Sequence, residues 1–290
     1  MNVNGYEIKP RAKLAGANLA GANLKDLDLT GANLTGANLT GADLAGAKLG
    51  GVNLTDANLE DANLEDAILF GEVKKRLSRQ WSSFSANLTR ANLTRANLTR
   101  LKLGNANLLN ANLLDADLTD TDLAHANLSG ANLQGANLTG KNLEGADLSG
   151  ANLEDANLKG ADLTGQYLDS TDLAHANLTE ANLTRAYLSL ANLTEANLTE
   201  ANLTGAFLFC ADLTGANLTG ANLTRAFLLD ANLTGANLTD ANLTGAFLSV
   251  ADLAGANLED ANLEAADLAY EDLTDANLTG ATMPDGSIHE

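Results

Sequence analysis

The chain has 290 residues, including 26 glycines and two prolines, and its 37 acidic against 17 basic side chains leave a net charge of −20. A single cysteine, Cys210, excludes an internal disulfide, the acidic balance disfavours a nucleic-acid partner, and no apolar run approaches the roughly 20 residues of a membrane span. No signal-like apolar stretch opens the chain, so the expected setting is cytoplasmic.

Residues 1–11, with Tyr6, Ile8 and Pro10, precede the first regular feature and read as an N-terminal cap over an open strand edge. From residue 12 leucine recurs at every fifth position, first from Leu14 to Leu69 and then from Leu88 to Leu278. Of these 51 leucines, 43 have Ala two residues before them and 42 have Asn or Asp one residue before, so the unit is A-[N/D]-L-x-x. A period of five matches neither the 3.6 of a helix nor the 2 of a flat strand, so the chain must turn a corner at each unit. In a four-sided coil Leu and Ala point inward, the other three residues point out, every twentieth residue stacks, and successive turns lie about 4.8 Å apart. Glycine at the fifth position, as in Gly31, Gly36, Gly41 and Gly46, suits a corner that needs positive φ. Arg, Asp and Glu at the same position elsewhere lead us to expect corners of more than one kind. The repeat resembles the pentapeptide-repeat family, and the ending Thr-Met-Pro-Asp-Gly-Ser-Ile-His-Glu is similar to that of cyanobacterial members. The resemblance implies an all-β fold, a right-handed quadrilateral β-helix of about 13 coils built from residues 12–71 and 86–283.

Between those segments the repeat breaks. Leu69 and Leu88 are 19 residues apart, and a continuous register would drive Lys74 and Arg79 inward, where an unpaired charge is not tolerated. Residues 72–85 therefore read as looped out, with the coil resuming at Ala86. Val73, Leu77, Trp81 and Phe84 fall at helical spacing opposite Lys74, Lys75, Arg76 and Arg79, which predicts a short amphipathic helix against the wall of the coil. Family members that confer quinolone resistance carry recognition loops, and this segment is open to that reading. The alternative, an insertion whose Trp81 packs on the coil, is preferred. With Arg90, Arg95, Arg100 and Lys102, the four cations of the insertion form an expected basic girdle. Farther on, Lys141, Gln166, Thr171 and Glu271 occupy the inward Ala position, with no functional account. Residues 284–290 form a C-terminal tail.

Gyrase-directed members of the family are thought to imitate DNA, and the charge invites the comparison. A coil of this length would carry one net negative charge per roughly 3 Å, against one per about 1.7 Å in B-DNA. Its acids scatter over three sides, and the basic girdle interrupts them, so a DNA mimic is the second reading and not the first. His125, His175 and His289 lie apart from one another, and no nucleophile, paired-carboxylate or phosphate-loop arrangement is visible. The chain is read as having no catalytic, cofactor or metal site, and as no enzyme.

One stripe departs from the repeat in a concerted way. Tyr167, Tyr187, Phe207, Phe227 and Phe247 replace the outward Asn/Asp at intervals of 20, and Leu190, Phe209, Cys210, Leu229, Val250 and Tyr270 fall on the same side. Seven of the 11 aromatic residues thus share one face, which composition alone does not explain. The rings could stack as a stiffening ladder, or the patch could be an interface, since it exceeds the few hundred Å² that a monomer usually exposes. The interface is preferred, joining either a second copy or another protein. The resulting expectation is an interaction surface or scaffold, with a gyrase-directed mimic and a purely structural repeat as alternatives.

Overall fold

The structure, a computed structural model, describes residues 1–74, 81–269 and 271–290. Two compact units emerge: Met1–Asn137 with Gly145–Asp147, and Leu138–Glu144 with Leu148–Glu290. Within each, the pentapeptide sets a repeating pattern of hydrogen bonds. Taking one side as an example, the Leu183 N–H donates to the Asn202 carbonyl at 2.7 Å, and the Asn202 N–H donates to the Ala181 carbonyl at 2.9 Å. These bonds form a parallel bridge between residues 20 apart, Asn182 with Asn202. The corner closes where the Ala186 N–H donates to the Leu183 carbonyl at 3.0 Å. The inward leucines and alanines are almost all buried, which contributes roughly 1.5–3 kcal/mol per leucine.

The Asn/Asp position has a structural cause beyond pointing outward. Asn182 Oδ1 accepts the Thr184 N–H at 3.2 Å and the Thr184 hydroxyl at 2.6 Å, and the same pair of bonds recurs at Asn222 with Thr224. This Asx-turn satisfies a corner N–H that the ladder leaves over, and it needs a short side chain with an oxygen on its γ-carbon. The expectation of unlike corners is corrected. The fifth residue takes positive φ whatever its identity, from 63° at Gly36 to 56° at Asp61, 54° at Arg95, 55° at Glu195 and 62° at Val250. One turn geometry, with positive φ at its third residue, is imposed by the stacking of turns, and non-glycine residues accept the strain.

The expected helix over 72–85 is also corrected. Strands β3 (Phe70–Lys74) and β4 (Trp81–Ser85) pair antiparallel from Phe70 opposite Ser85 to Lys74 opposite Trp81. The helical spacing of Val73, Trp81 and Phe84 gave way to strand pairing because the two ends of the segment are anchored side by side in the coil, which favours a hairpin's antiparallel return. Leu77, Lys75, Arg76 and Arg79 lie outside the described residues. The Ala86 N–H donates to the Leu69 carbonyl at 2.9 Å, the same kind of bond that closes the corner at Leu183 and Ala186. Bridges across the segment join residues 34 apart, such as Asn53 with Asn87, in place of 20.

At the N-terminus, β1 (Asn2–Val3) and β2 (Tyr6–Glu7) form a hairpin through Asn4 and Gly5, both at positive φ, the tight turn that Asn-Gly favours. Ile8 is buried, and the Tyr6 hydroxyl accepts the Asn18 N–H at 3.2 Å. At the other end Thr282 bridges Ile288 in antiparallel fashion, so the tail folds back on the last turn.

Candidate functional site

The five outward rings lie in the second unit, on one side of successive turns. Their backbone is ordinary: the Phe207 N–H donates to the Ala186 carbonyl at 2.9 Å, and Leu188 donates to the Phe207 carbonyl at 2.7 Å. The turn spacing therefore sets the ring spacing. Centroids of Tyr167, Tyr187, Phe207, Phe227 and Phe247 follow one another at 4.9–5.1 Å, with interplanar angles of 4–13°. Phe209 lies tilted against both Phe207 and Phe227 at 6.2 and 5.9 Å. Replacing Asn/Asp removes the Asx acceptor, and at one place it is supplied differently: Asp169 Oδ1 accepts the Ser189 N–H of the next turn at 3.1 Å.

Stacking covers the ring faces and leaves their edges in solvent. Tyr167 is 54% exposed and Phe247 43%, while Phe207 and Phe227 in the middle are half-buried. Leu190, Leu229 and Val250 are exposed along the same side. Tyr270 lies outside the described residues. Cys210 is exposed there as well, and partial burial, together with the Asp230 carboxylate at 3.5 Å, pushes its thiol pKa up, which makes it a poor nucleophile. The ladder and the exposed apolar patch are thus two aspects of one surface.

Of the girdle residues, Arg90, Arg95 and Arg100 are ion-paired. Arg90 grips Asp56 through two bonds of 2.6 and 2.8 Å. Arg95 reaches both Asp61 and Glu60, and Arg100 both Asp66 and Glu65. These hydrogen bonds hold the Asp56, Asp61 and Asp66 carboxyls below their usual range and raise the arginines. Each arginine stands at a corner 34 residues after its aspartate, one turn on once the looped segment is taken out. Lys75, Arg76 and Arg79 lie outside the described residues; Lys74 ends β3, and Lys102 bridges Ile68 and Asp122 through its backbone.

The inward departures resolve in different ways. The buried Thr171 hydroxyl donates to the Leu148 carbonyl at 3.1 Å, and Thr121, a further departure that the sequence reading did not single out, donates to Leu98 at 3.0 Å. Lys141 and Gln166 come together in the second unit around a cleft of about 520 Å³, also lined by Asn142, Glu144, Asp162 and Thr164. Gln166 is only 3% exposed, and among the described residues neither its Oε1 nor Glu271 Oε2 has a hydrogen-bond partner. Among the described residues, no three His, Cys, Asp or Glu side chains gather as metal ligands, and no helix is long and apolar enough to cross a membrane.

Leucine-filled turns with mostly Asx-capped corners define a quadrilateral β-helix. The chain belongs to the pentapeptide repeats family, whose pattern matches residues 11–71, 86–123, 126–165, 168–208 and 211–285. Among solved structures it is similar to HetL, a pentapeptide repeat protein involved in heterocyst differentiation regulation from the cyanobacterium Nostoc sp. strain PCC 7120. The two are 33% identical over 96% of this chain and 94% of that one, with a TM-score of 0.25. A pentapeptide repeat protein from the Arabidopsis thaliana thylakoid lumen is 30% identical over 42% of this chain and 71% of its own, with a TM-score of 0.25. QnrB1, a plasmid-mediated fluoroquinolone resistance protein, is 20% identical over 66% and 89%, with a TM-score of 0.27. Membership rests on the repeats; the superpositions carry no argument about role. No curated protein matches the chain.

Proposed function

We propose that the chain is a non-enzymatic scaffold that binds another protein through the aromatic face of its second unit, in the cytoplasm, where the exposed Cys210 thiol stays reduced. The observation that carries this reading is the row of stacked rings with solvent-exposed edges, flanked by exposed Leu190, Leu229 and Val250. A ladder needed for stiffness alone has no use for exposed aliphatic neighbours. Aromatic groups also dominate the energetics of interfaces. The reading of a gyrase-directed mimic gains nothing from the acidic surface, because some of its acids are already neutralised by Arg90, Arg95 and Arg100.

The test is the triple replacement Phe207→Asn, Phe227→Asn and Phe247→Asn. Each change restores the residue type that caps the corner elsewhere, so the regained Asx bonds, about 1 kcal/mol each, offset the lost stacking of about 0.5–1.5 kcal/mol per pair. The variant is expected to melt near the native protein and to lose the proteins, or the second copy, that the native chain retains in affinity capture and sedimentation. A much lower melting point with binding unchanged would assign the rings to stiffening and overturn the reading.

A further inference from the structure

Residues 138–290 contain four basic side chains, Lys141, Lys159, Arg185 and Arg225, among many acids. Lys159 pairs with Glu180 at 3.4 Å, and Lys141 lines the cleft. Arg185 and Arg225 are exposed, and among the described residues neither has an ion pair. Both stand at the corner two residues before a ladder ring, Tyr187 and Phe227, so they border one edge of the aromatic face.

The contrast with the first unit is informative. There Arg90, Arg95 and Arg100 each find an aspartate at the corner one turn earlier: Asp56, Asp61 and Asp66. For Arg185 the corresponding residue is Gly165, and for Arg225 it is Gly205, in a corner column that reads Gly165, Arg185, Gly205, Arg225, Gly245, all at positive φ. The arginine stems lie toward the following glycine, where an added Cβ would come to 3.7 Å from Arg185 Cγ and 3.6 Å from Arg225 Cγ. The repeat position is the same, and the internal counter-ion has been replaced by glycine.

We infer that the aromatic face receives an amphipathic, acidic helix of a partner protein, whose carboxylates supply those missing counter-ions; the inference rests on the face being an interface. Two turns separate the arginines, about 10 Å at the spacing of paired strands. On an α-helix this is the rise between residues seven apart, which also lie on one face, with apolar residues between them to cover the rings. A carboxylate-bearing helix is repelled by the rest of this acidic unit, so the arginines fix its register as well as attract it. A second copy fits less well. Two chains of net charge −20 repel, and an antiparallel face-to-face pair sets the arginine edge of one against that of the other.

The experiment is selection of helical peptides from a displayed library on the full chain, followed by binding measurements on Arg185→Glu/Arg225→Glu and on the triple Phe→Asn variant. Glutamate is tolerated at this corner, as Glu195 and Glu200 show at φ of 55° and 57°. Selected peptides should carry Asp or Glu pairs seven residues apart beside apolar positions, and should bind the charge-reversed variant about tenfold more weakly or worse. Lysine versions of the same peptides should prefer that variant over the native chain. Peptides that are basic or indifferent to the reversal, or failure to enrich any, would overturn the acidic-helix inference. If such indifferent peptides still require the three phenylalanines, the interface reading survives with a different partner. If they require neither, both fail.

Discussion

At the residue scale, the Asn/Asp column is held by the oxygen of the side chain and not by its charge, since Asn and Asp close the same corner with the same bond. The aromatic substitutions give up that bond, so a compensating gain must lie in the rings. Gln166 gives up more: a long amide stands where Ala is usual, almost fully buried, with Oε1 unpartnered. A buried acceptor without a donor costs roughly 1–3 kcal/mol. Gln166→Ala is therefore expected to raise stability by about 1 kcal/mol in denaturant unfolding; an unchanged or lower midpoint would show that solvent in the cleft already satisfies the amide.

At the scale of elements, two features near the break are open to test. The corner from Leu69 to Ala86 has the bond of an uninterrupted corner, and removing the segment would leave Phe70 and Gly71 to fill its two turn positions. Deleting 72–85 so that Gly71 joins Ala86 should leave circular dichroism and the unfolding midpoint close to native; an insoluble or molten product would make the β3–β4 hairpin an integral part of the coil. The Arg90, Arg95 and Arg100 corners respond to pH. Their aspartates have folded pKa values below the ordinary 3.8, so their contribution is complete above that value and is lost as the pH falls through the depressed folded values. Replacing all three arginines with alanine should flatten the loss of stability below about pH 4. These pairs are exposed and individually weak. An acid limb as steep in the variant as in the native chain would show that other carboxylates govern it.

For the whole molecule, the net charge of −20 sets the response to salt. Self-repulsion opposes any compact state and is screened over about 10 Å at 0.1 M ionic strength. Unfolding temperature is expected to rise as sodium chloride increases from about 10 mM toward the range where exposed charges no longer interact. The Arg–Asp corners work the other way, because screening weakens them too. A fall in unfolding temperature with salt would mean that these pairs outweigh the general repulsion. The same balance bears on the proposed partner: an acidic helix docking beside Arg185 and Arg225 approaches a repelling molecule and binds only in register.

The five-residue period by itself determined the four-sided coil, the inward leucines and the alignment of the five rings, because each depends only on a local unit repeated and on residues 20 apart falling on one side. The break in register between Leu69 and Ala86 was legible for the same reason: charge at an inward position is forbidden locally. What lies between those residues was not. Helical spacing of Val73, Leu77, Trp81 and Phe84 was a local signal, and it was overridden by anchoring at both ends, where the tertiary structure places the antiparallel strands. The partners of Arg90, Arg95 and Arg100 depend on an offset of 34, visible only once the turns are stacked, so three of the expected girdle cations stand in ion pairs. The same stacking sets Lys141 and Gln166 on one cleft and leaves Arg185 and Arg225 over glycine. Sorting every fifth residue into columns of 20 would have exposed that last alternation, but whether a corner arginine is paired or bare is decided by which residue the neighbouring turn sets beneath it.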